Sequence, residues 1–124
     1  MRDYIDKIIE VERKIEARLG RFNLFALLER DDVKDKWDVL ISMSISLTQK
    51  NEVIKIIHGE FVKELPKEAI FKISRFVYLE PSNPIVQNFN MMVSVQHSNV
   101  EIKDSMINNL MIKNAFVISS QRGK

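Results

Sequence analysis

The chain has 124 residues, of which 45% are hydrophobic and 29% are charged, so it can form one folded domain with its own core. The absence of cysteine excludes a disulfide framework, thiolate metal ligands and a cysteine nucleophile. The net charge of +2 argues against a strongly basic nucleic-acid-binding face. Because no apolar run approaches the ~20 residues of a membrane span and no leader is evident, we expect a cytoplasmic protein without membrane partners.

Residues 2–19 are predicted to form an amphipathic helix, because apolar residues recur there at intervals of three and four. Gly20 is placed to end this helix in a left-handed cap. The apolar stripe can pack on the protein's own sheet, or it can form a dimer seam about two heptads long. That stripe consists of Tyr4, Ile8, Val11 and Ile15.

Residues 22–30 suit either a strand or a short helix, whereas residues 37–45 are a clear strand. The second half of that strand alternates between an apolar face of Ile41, Met43 and Ile45 and a polar face of Ser42 and Ser44. The charged connector at residues 31–36 has a length that suits an antiparallel hairpin. This connection favours the strand for residues 22–30.

A helix is predicted after residue 46, because Ser46 and Gln49 have the spacing of a capping box. Pro66 ends that helix and opens a second, short one that reaches residue 73. Phe76–Leu79 follows with four large apolar side chains in a row. Such a run is typical of a strand covered on both faces, in the interior of a sheet.

The chain after this strand reads as a helix and two more strands. Pro84 suits the first position of a helix, which should point Met92 inward. The runs at residues 100–104 and 110–118 are β-like, with a tight turn at Asn108 and Asn109 between them and a bulge at residues 113–114.

The resulting order, α-β-β-α-α-β-α-β-β, predicts a single α/β or α+β domain over residues 1–124, with a mobile tail at residues 121–124. We expect a mixed sheet of four or five strands, in which the last apolar run lies beside Phe76–Leu79. Because that strand needs cover on both faces, helices should pack on both sides of the sheet.

The candidate polar site follows the most apolar strand, at the end where open α/β sheets bind ligands. Glu80 could act there as an acid or base, and Ser82 and Asn83 could orient a ligand or simply cap the next helix. His97 and Asp38 are further candidates for proton transfer. Neither histidine of the chain has a carboxylate or a second histidine at metal-ligand spacing, so we predict no metal site and no cofactor.

No sequence motif specifies a reaction, so the expected function is protein–protein contact, as a homodimer or as a small subunit of an assembly. We predict the interface on the helical stripe Tyr4, Ile8, Val11 and Ile15. The alternative, a small enzyme, requires the candidate polar residues to converge in one pocket. Weak nucleic-acid binding is a second alternative, and its basic face would be built from Arg75, Lys103, Lys113 and Arg122.

Overall fold

The computed structural model of the chain describes residues 1–44, 49–107 and 109–122, and its fold is of the α+β class. Within these residues, four α-helices and five strands follow one another in the predicted order. The helices are α1 (Ile5–Leu19), α2 (Lys50–Glu64), α3 (Lys67–Phe71) and α4 (Pro84–Met92), and a 3-10 turn at Arg2–Tyr4 precedes α1. The strands are β1 (Phe22–Glu29), β2 (Trp37–Met43), β3 (Ile73–Tyr78), β4 (Val100–Ile107) and β5 (Leu110–Ser120).

The five described strands form one mixed sheet in the order β3-β2-β1-β5-β4. β1 and β2 pair antiparallel, which confirms the predicted hairpin and assigns residues 22–29 to a strand. β2 and β3 are parallel, because α2 and α3 carry the chain back between them. β4 and β5 form a second antiparallel hairpin, and β5 also pairs with the remaining side of β1.

Helices cover both faces of the sheet, as predicted. α1 and α2 pack side by side over the larger hydrophobic cluster, and α4 packs against β1 and β4 over a smaller one on the opposite face. Asn90 anchors α4 by donating hydrogen bonds to the main-chain oxygen of Asn23 and to the hydroxyl of Ser120, both at 2.9 Å. The large side chains that are fully buried in the first cluster include Phe22, Phe25, Phe61, Ile8, Ile15 and Ile57.

The apolar stripe of α1 faces the protein's own core. Ile8, Val11 and Ile15 are at most 1% exposed, and Tyr4 is half-buried against the same cluster. Ile8, Val11 and Ile15 are therefore not exposed on the surface where the sequence predicted an interface. The same spacing suits a core-facing helix and a dimer seam, and the sheet face that needs cover decides between the two.

β3 lies at one edge of the sheet, which corrects the prediction of an interior strand. Its apolar side chains are only partly buried, although the Phe76 ring packs edge-on against Phe61 of α2 with centroids 5.2 Å apart. β1 takes the central place instead, and each of its residues from Phe22 to Leu27 is buried. β5 pairs with β1 and β4. The prediction that it lies beside β3 is therefore wrong.

The turn between β4 and β5 is where the sequence predicts it. Ile107 pairs with Leu110, and Asn109 has a φ of +64°, which asparagine tolerates well. Asn108 lies outside the described residues. The bulge predicted at residues 113–114 is not found in the pairing of β4 with β5, which keeps a constant offset. The register of β5 shifts instead against β1, opposite Phe25 and Ala26.

Several local predictions also change. Gly20 ends α1 with φ +117° and ψ 177°, an extended conformation at positive φ and not a left-handed cap. Ser42 is fully buried, because both faces of β2 are covered, and Met92 points outward with 51% of its surface exposed. The capping box that begins at Ser46 lies outside the described residues.

The residues that end the described chain are hydrogen-bonded to the strand region. The main-chain nitrogen of Gln121 donates to Asn23 at 3.0 Å, and the carbonyl of Arg122 accepts a 2.6 Å hydrogen bond from Arg21. Residues 123–124 of the predicted mobile tail lie outside the description. The longest described helices have 15 residues, and none of them has both the length and the apolar content to span a bilayer.

Candidate functional site

The turn between β3 and α4, where the sequence places a polar site, is organised as a helix start. The side-chain Oδ1 of Asn83 accepts a 2.9 Å hydrogen bond from the main-chain nitrogen of Ile85, so Asn83 is the N-cap of α4. Its own main-chain nitrogen donates to the carbonyl of Glu80 at 2.9 Å. Ser82 is exposed. These contacts show that the polar residues of the turn serve to begin α4.

The predicted polar residues do not converge. His97 contacts Glu12 of α1, on the face that the first three helices cover. Asp38 instead lines a groove on the α4 face, where its Oδ2 lies 3.1 Å from Nε of Arg75. Since the sheet separates the two side chains, His97 and Asp38 do not share a pocket.

His97 belongs to a different cluster, which contains a fully buried carboxylate. Glu12 of α1 is 0% exposed, and its Oε1 lies 2.5 Å from Nδ1 of His97. Its other oxygen accepts a 2.9 Å hydrogen bond from the hydroxyl of Ser119. The second ring nitrogen of His97, Nε2, lies 3.1 Å from Oε1 of Glu16. The imidazole therefore contacts one carboxylate at each nitrogen.

Three elements position these groups. Glu12 and Glu16 are four residues apart on α1, so they occupy the same helix face. His97 lies between α4 and β4 with a φ of +51°, an uncommon conformation that the hydrogen bond from its main-chain nitrogen to Ser119 Oγ (3.2 Å) helps to hold. Ser119 faces α1 next to Ile118 because the register of β5 shifts there, and such irregularities often re-aim side chains beside functional sites.

Burial raises the pKa of the Glu12 carboxyl above its ordinary value, and the hydrogen bonds from His97 and Ser119 offset only part of this effect. The imidazole of His97 lies between two carboxylates, one of which is fully buried. A buried ionisable cluster of this kind is expensive to form, which marks it as a candidate functional site.

The cluster does not have the arrangement of a serine hydrolase. The Ser119 hydroxyl donates to Glu12 and not to the histidine, and the Ser119 side chain is fully buried. A nucleophilic serine needs access to substrate, and the buried hydroxyl of Ser119 has none. By contrast, Glu12, Glu16 and His97 each offer a metal-ligand atom, and these atoms lie within 4.8 Å of one another.

Sequence spacing did not detect this cluster, because His97 is 85 residues from Glu12 and Ser119 is 107 residues from it. The prediction of no metal site was based on the spacing of possible ligands along the sequence, which does not show contacts between distant residues. One signal was present in the sequence: Glu12 occupies the same apolar helix face as Ile8 and Ile15. A carboxylate at such a position needs a partner from elsewhere in the chain.

The groove on the α4 face has a volume of about 320 Å³ and an apolar floor. Asp38 lies at its charged end, and its Oδ1 has no hydrogen-bond partner among the described residues, although Nη1 of Arg30 approaches to 3.7 Å. Arg30 is itself engaged by both carboxylate oxygens of Asp32, at 2.9 Å each. The floor and rim include Leu28, Leu40, Val77, Leu79, Ile85 and Met111.

The basic face predicted for nucleic-acid binding is partly neutralised. Arg75 pairs with Asp38, and Nζ of Lys103 lies 3.4 Å from a carboxylate oxygen of Glu101. A nucleic-acid-binding face needs several unpaired cations on one surface. These two pairs therefore weaken that alternative.

The groove borders the outer edge of β3, and no described strand pairs with that edge.

Comparison of the chain with models of known protein families, with curated proteins and with solved structures finds no significant match.

Proposed function

We propose that the protein works through protein–protein contact and forms a homodimer by pairing β3 with β3 of a second copy. The supporting observation is a strand of interior character at the edge of a sheet. Phe76–Leu79 has the apolar composition of a strand covered on both faces, yet these four residues are only partly buried in one chain. A long apolar edge is a template for strand pairing.

The backbone of β3 can accept a partner. The main-chain nitrogen of Leu79 donates to Ile41 of β2 at 2.8 Å. Because successive residues of a strand point their N–H and C=O groups in opposite directions, those of Phe76 and Tyr78 face away from β2. A strand added at this edge would pair with them.

The opposite edge of the sheet is protected, which makes the contrast with β3 informative. β4 carries three charged residues, Glu101, Lys103 and Asp104, and Asp104 has a positive φ of +49° within the strand. Charged side chains and backbone irregularities are the devices that keep natural edges unpaired. β3 carries one charged residue, Arg75, which pairs with Asp38, and the residues from Phe76 to Leu79 carry none.

A second copy is the occupant that satisfies this edge most simply. A twofold axis perpendicular to the sheet places the two β3 strands antiparallel, so that each copy supplies the donors and acceptors that the other needs. Such pairing would also bring apolar side chains of the partner towards the groove that Val77 and Leu79 line. The extended sheet would then bury more of the apolar surface of Phe76–Leu79 than one chain does.

The test is the molar mass in solution, measured by light scattering over a concentration series. We expect the mass of two chains for the unmodified protein and the mass of one folded chain for Val77→Lys, because a lysine on an edge strand opposes pairing. Ser105→Lys makes the same charge change on β4 and should remain a dimer. Circular dichroism checks that both variants are folded. A single-chain mass for the unmodified protein at every concentration, or dissociation by Ser105→Lys alone, would refute pairing through β3.

A further inference from the structure

We propose that Glu12, Glu16 and His97 form a binding site for a divalent first-row transition-metal ion of the Zn²⁺ type. Carboxylate oxygen and imidazole nitrogen are both ligands that Zn²⁺ accepts. The three side chains bring one such atom each within 4.8 Å of one another. This inference does not depend on the proposed dimer, because the cluster lies in the α1 face of each chain.

The distances are close to those of a tetrahedral site. Zn–N and Zn–O bonds of ~2.0–2.2 Å place neighbouring ligand atoms about 3.3–3.6 Å apart. Nε2 of His97 is already 3.1 Å from Oε1 of Glu16. Because the two ring nitrogens point in diverging directions and each now faces a different carboxylate, the imidazole must also turn so that one nitrogen faces the ion together with Glu12 and Glu16. Three protein ligands leave a fourth position open, as in catalytic zinc sites.

The site can be reached from solvent on one side only. The side chain of Glu12 is fully enclosed, whereas those of His97 and Glu16 are each 21% exposed. An ion would therefore enter between His97 and Glu16, with Glu12 as the inner ligand. The open position would lie on the solvent side, where it can hold a water molecule.

Both carboxylates are oriented by groups other than the histidine. The Ser119 hydroxyl donates to Oε2 of Glu12 at 2.9 Å, and the side-chain amide of Gln96 donates to the carboxylate of Glu16 at 3.3–3.4 Å. Ser119 also accepts the main-chain N–H of His97. Metal ligands generally carry outer hydrogen bonds of this kind, which keep them in place when a proton is exchanged for the ion.

The charge of the cluster suits a divalent cation. Two carboxylates and a neutral imidazole carry two negative charges, which a divalent ion cancels in full. Because Glu12 is fully buried, uncancelled charge on it is costly, and a divalent ion would relieve that cost.

The experiment is isothermal titration of the metal-free protein with Zn²⁺. The chain contains two histidines and no cysteine, so His58→Gln is a matched control for His97→Gln. We expect one ion per chain for the unmodified protein and for His58→Gln. His97→Gln should weaken binding by at least the ~10- to 100-fold that loss of an outer-shell partner costs. Glu16→Gln should do the same, and because Glu16 is partly exposed it tests the site even if His97→Gln does not fold.

A second measurement identifies the coordination. Co²⁺ in a four-coordinate protein site absorbs visible light far more strongly than octahedral aqueous Co²⁺, and we expect this spectrum for the unmodified protein and for His58→Gln but not for His97→Gln. Absence of Zn²⁺ binding by the unmodified protein would overturn the proposal and leave the cluster as a structural ion network. Equal binding by His97→Gln and the unmodified protein would overturn it as well.

Discussion

Replacing Ile8 by alanine tests whether α1 serves the core or an interface. Ile8 is 0% exposed, so the substitution removes three buried carbon atoms. At ~0.8 kcal/mol per buried methylene group, the lost transfer free energy is about 2.4 kcal/mol. The cavity left behind adds to this, and buried Ile→Ala changes generally cost ~2–5 kcal/mol. We therefore expect the free energy of unfolding to fall by about 3 kcal/mol, against a total of roughly 5–15 kcal/mol for a domain.

The assay is urea unfolding at two protein concentrations, combined with light scattering. With a urea dependence of about 1.5 kcal/mol per M, the midpoint should fall by about 2 M. Ile9→Ala removes the same atoms from the neighbouring position of α1, which is only partly buried, and should lower the midpoint less. The reasoning fails if Ile8→Ala leaves the unfolding midpoint unchanged and only lowers the molar mass, because that result would return α1 to the interface.

Two further substitutions test local contacts. Asn83→Ala should lower the free energy of unfolding by about 1 kcal/mol through loss of the N-cap, whereas Ser82→Ala, which changes an exposed side chain, should have little effect; equal losses in urea unfolding would argue against the cap. The pKa of Asp35 is held below its ordinary value, first by the ammonium group of Lys72, so ionised Asp35 stabilises the fold above about pH 4, and this contribution is lost as the pH falls through the lowered pKa. Asp35→Asn should accordingly be less stable than the unmodified protein at neutral pH, and the difference in urea midpoint should shrink as the pH falls below about 4; a difference that is the same in acid as at neutral pH would contradict the assignment.

The sequence predicts the elements of this fold well because their signals are local. These signals are the alternation in residues 37–43, the apolar stripe of α1, and the prolines at the starts of α3 and α4. Each of them depends only on residues that are close together in the sequence. Pairing within the two hairpins is also local, since a short connector leaves few alternatives. These features account for the correct order of helices and strands.

The position of β3 could not be predicted in the same way. An apolar run indicates that a strand tends to be buried, but it does not indicate which other strands pair with that strand. Phe76–Leu79 and the run from Phe22 to Leu27 look equally suited to the centre of a sheet. The central place goes to β1 because the antiparallel hairpin with β2 and the pairing with β5 satisfy both of its edges.

Of the four residues in the candidate site, the sequence analysis identified one, His97. His97 was identified because a histidine in a polar link can exchange protons. Glu12, Glu16 and Ser119 were missed, because each belongs to a regular element whose pattern explains its presence. Their proximity depends on the packing of α1 against the end of β5, which no spacing along the chain encodes.

The sheet order also constrains the sequence of folding events. β1 is made early in synthesis, but the strand that completes its second edge, β5, is made only after about 80 further residues. Until residues 110–120 emerge from the ribosome, the second edge of β1 is unpaired, and Glu12 lacks Ser119. A nascent chain at this stage would expose a free edge of β1, which is the same kind of pairing surface that β3 presents in the finished protein. When β5 is made, it must compete with strands of other chains for that edge of β1.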